Sequence, residues 1–275
     1  MIPTAIASLA TIPCPSPAAA GGVEVEVLNT GWVDSDWRMV ANDGQKGPAR
    51  LPLLVGLIHH PDGDVLVDSG LGLTTREESF PRFPIRTGNT TIPAGLALAE
   101  QLQTVPSTVL MTHLHYDHIG GLLDLPPNTE VWTTNEEFTT TMTSNLGFPE
   151  RRIRSAVQWK VLDLRPGNAQ EQLGVAAKDV KGDGTIWYLS TPGHTPGSAS
   201  ILVRSTTDTW LFIGDIAWVD KHLAESKRPA IVSLIVDGRP RLQKRALAWA
   251  RQLRKMCPSL KIVAGHEPKW TRIEP

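Results

Sequence analysis

The chain has little of what marks several common protein classes. Two cysteines in 275 residues, Cys14 and Cys257, exclude a disulfide framework and a cysteine metal cluster, and sequence alone does not say whether they pair. No apolar run is long enough to span a bilayer, so no membrane role is expected. No Lys or Arg precedes Arg38, so the apolar stretch 2–12 and the small residues Pro17-Ala18-Ala19-Ala20 lack the positive region of a signal peptide. Residues 1–22 read instead as a Pro/Ala-rich arm packing on the body. Compartment stays open, with a soluble, cytoplasmic chain favoured over a secreted one. Excess charge is also missing: 27 basic against 28 acidic residues give a net charge of −1, which argues against nucleic acid as a partner. One local exception runs from Arg239 to Lys255, seven bases with no acid. Leu242, Ala246, Leu247, Ala250 and Leu253 recur there at helical spacing, so the bases form the wet face of an amphipathic helix. Nine tryptophans stand against two tyrosines, which points to an aromatic-rich core or pocket.

What is present is a single large domain over residues 23–275, since no linker is long or polar enough to divide it. Val23–Leu28 alternates as a half-buried strand. Leu53–Ile58 and Asp64–Val67 flank the turn Pro61-Asp62-Gly63 as a hairpin. Thr74–Thr91 reads as a long loop over a site entrance, and Ala94–Gln103 as a helix. Strands follow at Thr108–Met111 and Thr129–Thr133, then a capped helix at Asn135–Thr143. Thr185–Leu189, Ala199–Val203 and Trp210–Ile213 are further strands, the last two paired about Thr206-Thr207-Asp208. Strand runs with inserted helices fit an α/β (α+β) sandwich of sheet on sheet flanked by helices.

The chemistry sits in Thr112-His113-Leu114-His115-Tyr116-Asp117-His118, directly after an apolar strand. Alternation puts His113 and His115 on one side. Asp117 and His118 turn towards a neighbouring position, at a spacing of about 3.5–4 Å in two-metal sites. Imidazole and carboxylate are the ligands that zinc and similar divalent transition metals prefer. Four such side chains packed together without a metal would leave buried polar groups unpaired. Downstream, Thr191-Pro192-Gly193-His194-Thr195-Pro196-Gly197-Ser198 presents one histidine on a turn. Trp210–Ile213 leads to Gly214-Asp215, and Leu260–Ala264 to Gly265-His266. Each segment is a short buried strand with a ligand at its C-terminal mouth.

In that order the motifs HxHxDH, TPGHTPGS, GD and GH resemble those of the metallo-β-lactamase-fold hydrolases, over about Val23 to Trp270. The resemblance implies a four-layer αβ/βα sandwich holding two zinc ions. His113, His115 and His194 would hold the first, Asp117, His118 and His266 the second, and Asp215 would bridge them. It also implies that Asp68, in Asp68-Ser69-Gly70 after a strand, orients a ligating imidazole from behind. A bridging hydroxide would then hydrolyse the substrate, with Asp117 orienting the nucleophile or carrying its proton to the leaving group.

Within that group the pattern most resembles the N-acyl homoserine lactone lactonases, so the expected partner is a small lactone or related carboxylic ester. Those enzymes place a tyrosine three residues after the bridging aspartate, where this chain has Trp218. An organophosphate phosphotriesterase or a glyoxalase-like thioesterase is the alternative. A mononuclear iron persulfide dioxygenase needs fewer ligands than are present, and a non-catalytic binding protein would have lost some. Trp218, His222, Phe80 and Phe83 are candidates for the pocket wall. A homodimer is left open.

Overall fold

The computed structural model describes residues 12–18, 22–77, 89–143, 150–165, 167–224 and 228–271. Its frame is two sheets. The first contains β1 (Glu24–Asp36), β2 (Pro48–His59), β3 (Val65–Val67), β4 (Asn89–Thr91), β5 (Thr108–Leu110), β6 (Glu130–Thr134) and β7 (Gln158–Leu162), in the order β4-β1-β2-β3-β5-β6-β7. The second contains β8 (Gln170–Gln172), β9 (Val175–Asp179), β10 (Ile186–Ser190), β11 (Ala199–Arg204), β12 (Thr209–Phe212) and β13 (Leu260–Val263), in the order β13-β12-β11-β10-β9-β8.

Strand alternation assigns each side chain to a layer. Leu54, Ile58, Val65, Val67, Leu110 and Trp132 of the first sheet meet Ile186, Tyr188, Ile201, Val203 and Phe212 of the second. The opposite faces are buried too. Val55, Leu57, Leu66, Val109 and Val131 pack under Leu98, Leu114, Ile119, Leu122 and Ile153. Leu189, Leu202, Leu211 and Ile262 pack under Ala246, Trp249, Ala250 and Leu253 of the helix Pro240–Met256. Sheets covered on both faces need near-continuous apolar strands, which is what Ile201-Leu202-Val203 supplies. The result is the helix–sheet–sheet–helix sandwich expected from the sequence. Arg241, Lys244, Arg245 and Lys255 lie on the exposed face of the last helix, as its periodicity requires.

Several local expectations need correction. The first strand runs past Leu28 to Asp36, because Trp32–Asp36 pairs with β2 beyond an irregularity after Asn29. The segment read as a loop from Thr74 to Thr91 begins inside a helical turn, Leu73–Glu77, and ends as β4. Asp124 from across the chain caps that turn through the Thr74 N–H and hydroxyl. The helix expected over Ala94–Gln103 is one turn, Leu98–Gln101. The carboxylate of Glu100, paired with Arg76, accepts from the Gly95 and Ala97 N–H groups and holds the preceding residues in a non-helical turn. Cys14 and Cys257 are joined as a disulfide that ties the arm to the end of the last helix, with Ile12 packed on the core beneath.

Candidate metal centre

The strand ends β3, β5, β10, β12 and β13 converge at one rim of the sandwich. Asp68 leaves β3 with φ 59°, a left-handed conformation uncommon for a non-glycine residue. That turn aims its buried carboxylate at the loop after β5. It accepts from the Thr112 N–H at 2.7 Å, from the Thr112 hydroxyl at 2.7 Å, and from His118 Nδ1 at 2.8 Å. One side chain thus fixes both the start of the ligand loop and the orientation of one imidazole.

The candidate ligands form two groups. Ligand atoms of His113, His115, His194 and Asp215 lie within 4.8 Å of one another, as do those of Asp117, His118 and His266. Asp215 faces both groups. Its Oδ2 is 3.3 Å from His194 Nε2, and its Oδ1 is 3.3 Å from His266 Nε2 and 3.5 Å from His118 Nε2. Asp117 Oδ2 stands 3.7 Å from His266 Nε2 and 3.9 Å from His118 Nε2.

Two observations test whether cations fit here. His115 Nδ1 lies 3.0 Å from His113 Nε2 and 2.9 Å from His194 Nε2. A ring nitrogen has either one proton or one lone pair, so it cannot satisfy both neighbours by hydrogen bonding. Three nitrogens aimed at a common point do suit a single cation. Second, His118 Nε2 and Asp215 Oδ1 are buried without a hydrogen-bond partner among the described residues, an arrangement that an ion would explain. The residues present fit a two-metal centre.

The far ring nitrogens are engaged, which fixes the tautomers. Besides His118 on Asp68, His194 Nδ1 donates to Asp237 Oδ1 at 3.1 Å and His266 Nδ1 to the Pro52 carbonyl at 3.0 Å. A proton held at Nδ1 leaves Nε2 free with its lone pair directed inwards.

Electrostatics divides the site. Burial pushes His113 and His115 well below the usual imidazole range, and the neighbouring imidazoles add to this. Their nitrogens are therefore neutral and available as ligands. Burial also opposes charge on His118 and His266, yet Asp68 and Asp117 around the first, and Asp215 beside the second, raise both instead. Burial would raise Asp215, but His266 and His194 hold it well below the carboxylate range. The carboxylates of Asp68, Asp117 and Asp215 thus favour positive charge on this side of the site.

The pocket candidates fare differently. Trp218 is half-buried beside the centre, but its indole N–H donates to Asp215 Oδ2 at 2.8 Å. The Arg228 guanidinium lies 4.8 Å from the Trp218 ring centre. It also reaches the Asp215 carbonyl at 3.0 Å and Asp237 at 3.1 Å. His222 does not face the site. Its Nδ1 accepts from the Trp218 N–H at 3.2 Å and its Nε2 donates to the Val40 carbonyl at 2.9 Å. Phe80 and Phe83 lie outside the described residues.

Sequence reasoning missed Asp237, Arg228 and Glu137. Asp237 follows the apolar run Ala230–Val236 directly, the same strand-then-carboxylate signal in helical form. Arg228 and Glu137 carry no local signal.

Fold and site together define a sandwich protein with two adjoining groups of candidate metal ligands at its rim. The profile of the metallo-beta-lactamase superfamily matches residues 50–266, and the chain belongs to that family. N-acyl homoserine lactonase AttM of Agrobacterium fabrum is 25% identical over 248 residues, covering 82% of this chain and 86% of its own. An acyl-coenzyme A thioesterase of Bos taurus is 26% identical over 172 residues, covering 60% and 58% respectively. Among solved structures, B. thuringiensis AiiA with N-decanoyl-L-homoserine at its active site superposes with a TM-score of 0.71 at 17% identity, over 89% of this chain and 93% of that one. AbOPH, a hydrolase of the beta lactamase superfamily, gives 0.60 at 20% identity over 94% and 92%.

Proposed function

We propose that the chain is a dinuclear metal-dependent hydrolase that opens a lactone or cleaves a related carboxylic ester. The observation that carries this is Asp215, whose two oxygens face two separate ligand groups, His113, His115 and His194 on one side and His118, His266 and Asp117 on the other. Held by these residues, zinc-class ions would lower the pKa of a water towards neutrality and polarise an electrophilic oxygen. Asp117 Oδ2, at the edge of the second group, orients the attacking oxygen and carries its proton to the leaving group. Asp68, Asp237 and the Pro52 carbonyl hold three imidazoles in the ligating tautomer.

The lactone reading draws on the lactonase names of relatives that match over most of the chain. One observation favours a second reading. The position that the lactonase pattern gives to tyrosine is Trp218, and its one donor already bonds Asp215 Oδ2. A substrate carbonyl therefore finds no donor there, which suits an aryl ester, a thioester or a phosphotriester held by its apolar part. Acid release from a long-chain N-acyl homoserine lactone by zinc-reconstituted protein separates the two. A kcat/KM above about 10⁴ M⁻¹s⁻¹ supports the lactonase. Negligible turnover in metal-replete protein overturns it in favour of the second reading.

A further inference from the structure

Glu137 is the third residue of the helix Asn135–Thr143, 1% exposed and far in sequence from every candidate ligand. Its Oε1 accepts from the Leu114 N–H at 2.9 Å. Its Oε2 accepts from the Thr195 hydroxyl at 2.5 Å and from the Gly197 N–H at 3.1 Å. Leu114 separates His113 from His115, and Thr195 directly follows His194. One buried carboxylate therefore joins the two loops that supply the three imidazoles of the first group.

The turn is seated on the helix start without slack. A Cβ at Gly197 would stand 2.1 Å from the Glu137 nitrogen and 2.3 Å from Thr134 Oγ1, so only glycine allows this approach. Thr134 Oγ1 in turn donates to the Gly197 carbonyl at 2.8 Å. Neither Asp68 nor Asp237 does the same job. Asp68 bonds Thr112 and His118, within one loop. Asp237 bonds the His194 ring and Arg228, and does not reach the His113–His115 loop in any of these bonds.

We propose that Glu137 is a positioning residue that sets the separation of His194 from His113 and His115, and so the affinity of the first metal position. This rests on the two-metal reading above. A carboxylate offers acceptors on both oxygens, whereas an amide would turn an NH2 group towards one of the donors it now receives. Residues that support ligands in this way typically control metal affinity by about 10–100-fold.

Stepwise zinc loading of the metal-free protein against a competing chelator tests it. Cobalt in place of zinc reports each position by its visible absorption. Wild type is expected to bind two ions. Glu137→Gln is expected to weaken one step by about 10–100-fold and to leave the other within about threefold. Equal weakening of both steps, with a lower melting temperature of the metal-free protein, would show a merely structural role and overturn the proposal. So would two unchanged steps. Should Glu137→Gln not fold, Thr195→Val removes the hydroxyl that bonds Glu137 and Ser198, leaves the Leu114 and Gly197 bonds to Glu137, and is expected to weaken the same step by a smaller factor. Unchanged steps in that variant overturn the proposal as well. A wild type that binds no second ion overturns the two-metal reading itself, and with it the proposal.

Discussion

At the scale of single residues, the centre depends on which atom of each side chain faces inwards. Among the described residues, Asp117 stands 3.7 Å and 3.9 Å from the imidazoles of its group, farther than Asp215 stands from the same rings. That looseness suits the proton-carrying role proposed for it. Asp117→Asn keeps the shape and removes the proposed base, so turnover is expected to fall by about 10²–10⁴-fold. Circular dichroism should remain that of wild type. Turnover within a few-fold of wild type would refute the role. The seven candidate ligands stand out in the sequence because each ends a short apolar strand or follows one closely, in a spacing that few other chemistries require. Glu137 and Arg228 could not. Each is a single charged residue in an ordinary setting, and only the packing of distant segments gives it partners.

Among elements, the strands were the legible part and the short helices were not. Runs such as Ile201-Leu202-Val203 announce a buried strand whatever surrounds them. The turn Leu98–Gln101 is set by Glu100 bonding Arg76 and the Gly95 and Ala97 N–H groups, information spread over two segments. His222 shows the same dependence. It belongs to the helical turn Asp220–Leu223 and links the Trp218 backbone to the Val40 carbonyl at the end of the turn Trp37–Val40. Sequence offered it as a candidate for the pocket wall; the fold makes it a buried clamp between two elements. Burial, aided by the nearby Arg228 charge, lowers its pKa from 6.5 to about 4. The unfolded chain takes up the proton below about 6.5 and the folded one only below about 4. Its stabilising contribution is therefore whole above pH 6.5 and is lost as the pH falls through that window. The full loss is on the order of 3 kcal/mol. Denaturant unfolding of His222→Gln between pH 7 and 4 should show a flatter decline than wild type. Parallel curves would mean that His222 is not held neutral.

For the whole molecule, the sandwich explains why the ligands meet at all. Parallel pairing of β3 with β5, and of β12 with β13, brings the ends that carry Asp68, the HxHxDH loop, Asp215 and His266 to one rim. Antiparallel β10 and β11 add the His194 turn between them. The Cys14–Cys257 bond spans a sequence separation of 243 residues, so it staples the arm to the same helix that covers the second sheet. The fold class was readable from alternating strand and helix runs, and the rim from the repeated position of ligands after strands. The covering of the rim was not, since it draws on Trp218, Arg228 and Asp237 arriving from separate turns. On the proposed two-metal reading, this rim would hold two ions, with Asp215 serving both ligand groups. Elemental analysis of protein loaded with zinc and then desalted, wild type beside Asp215→Ala, tests it most directly. Two ions per chain in wild type and a loss of occupancy in the variant are the predicted result. A single iron per chain in protein as isolated, or two ions retained in full by Asp215→Ala, would contradict it.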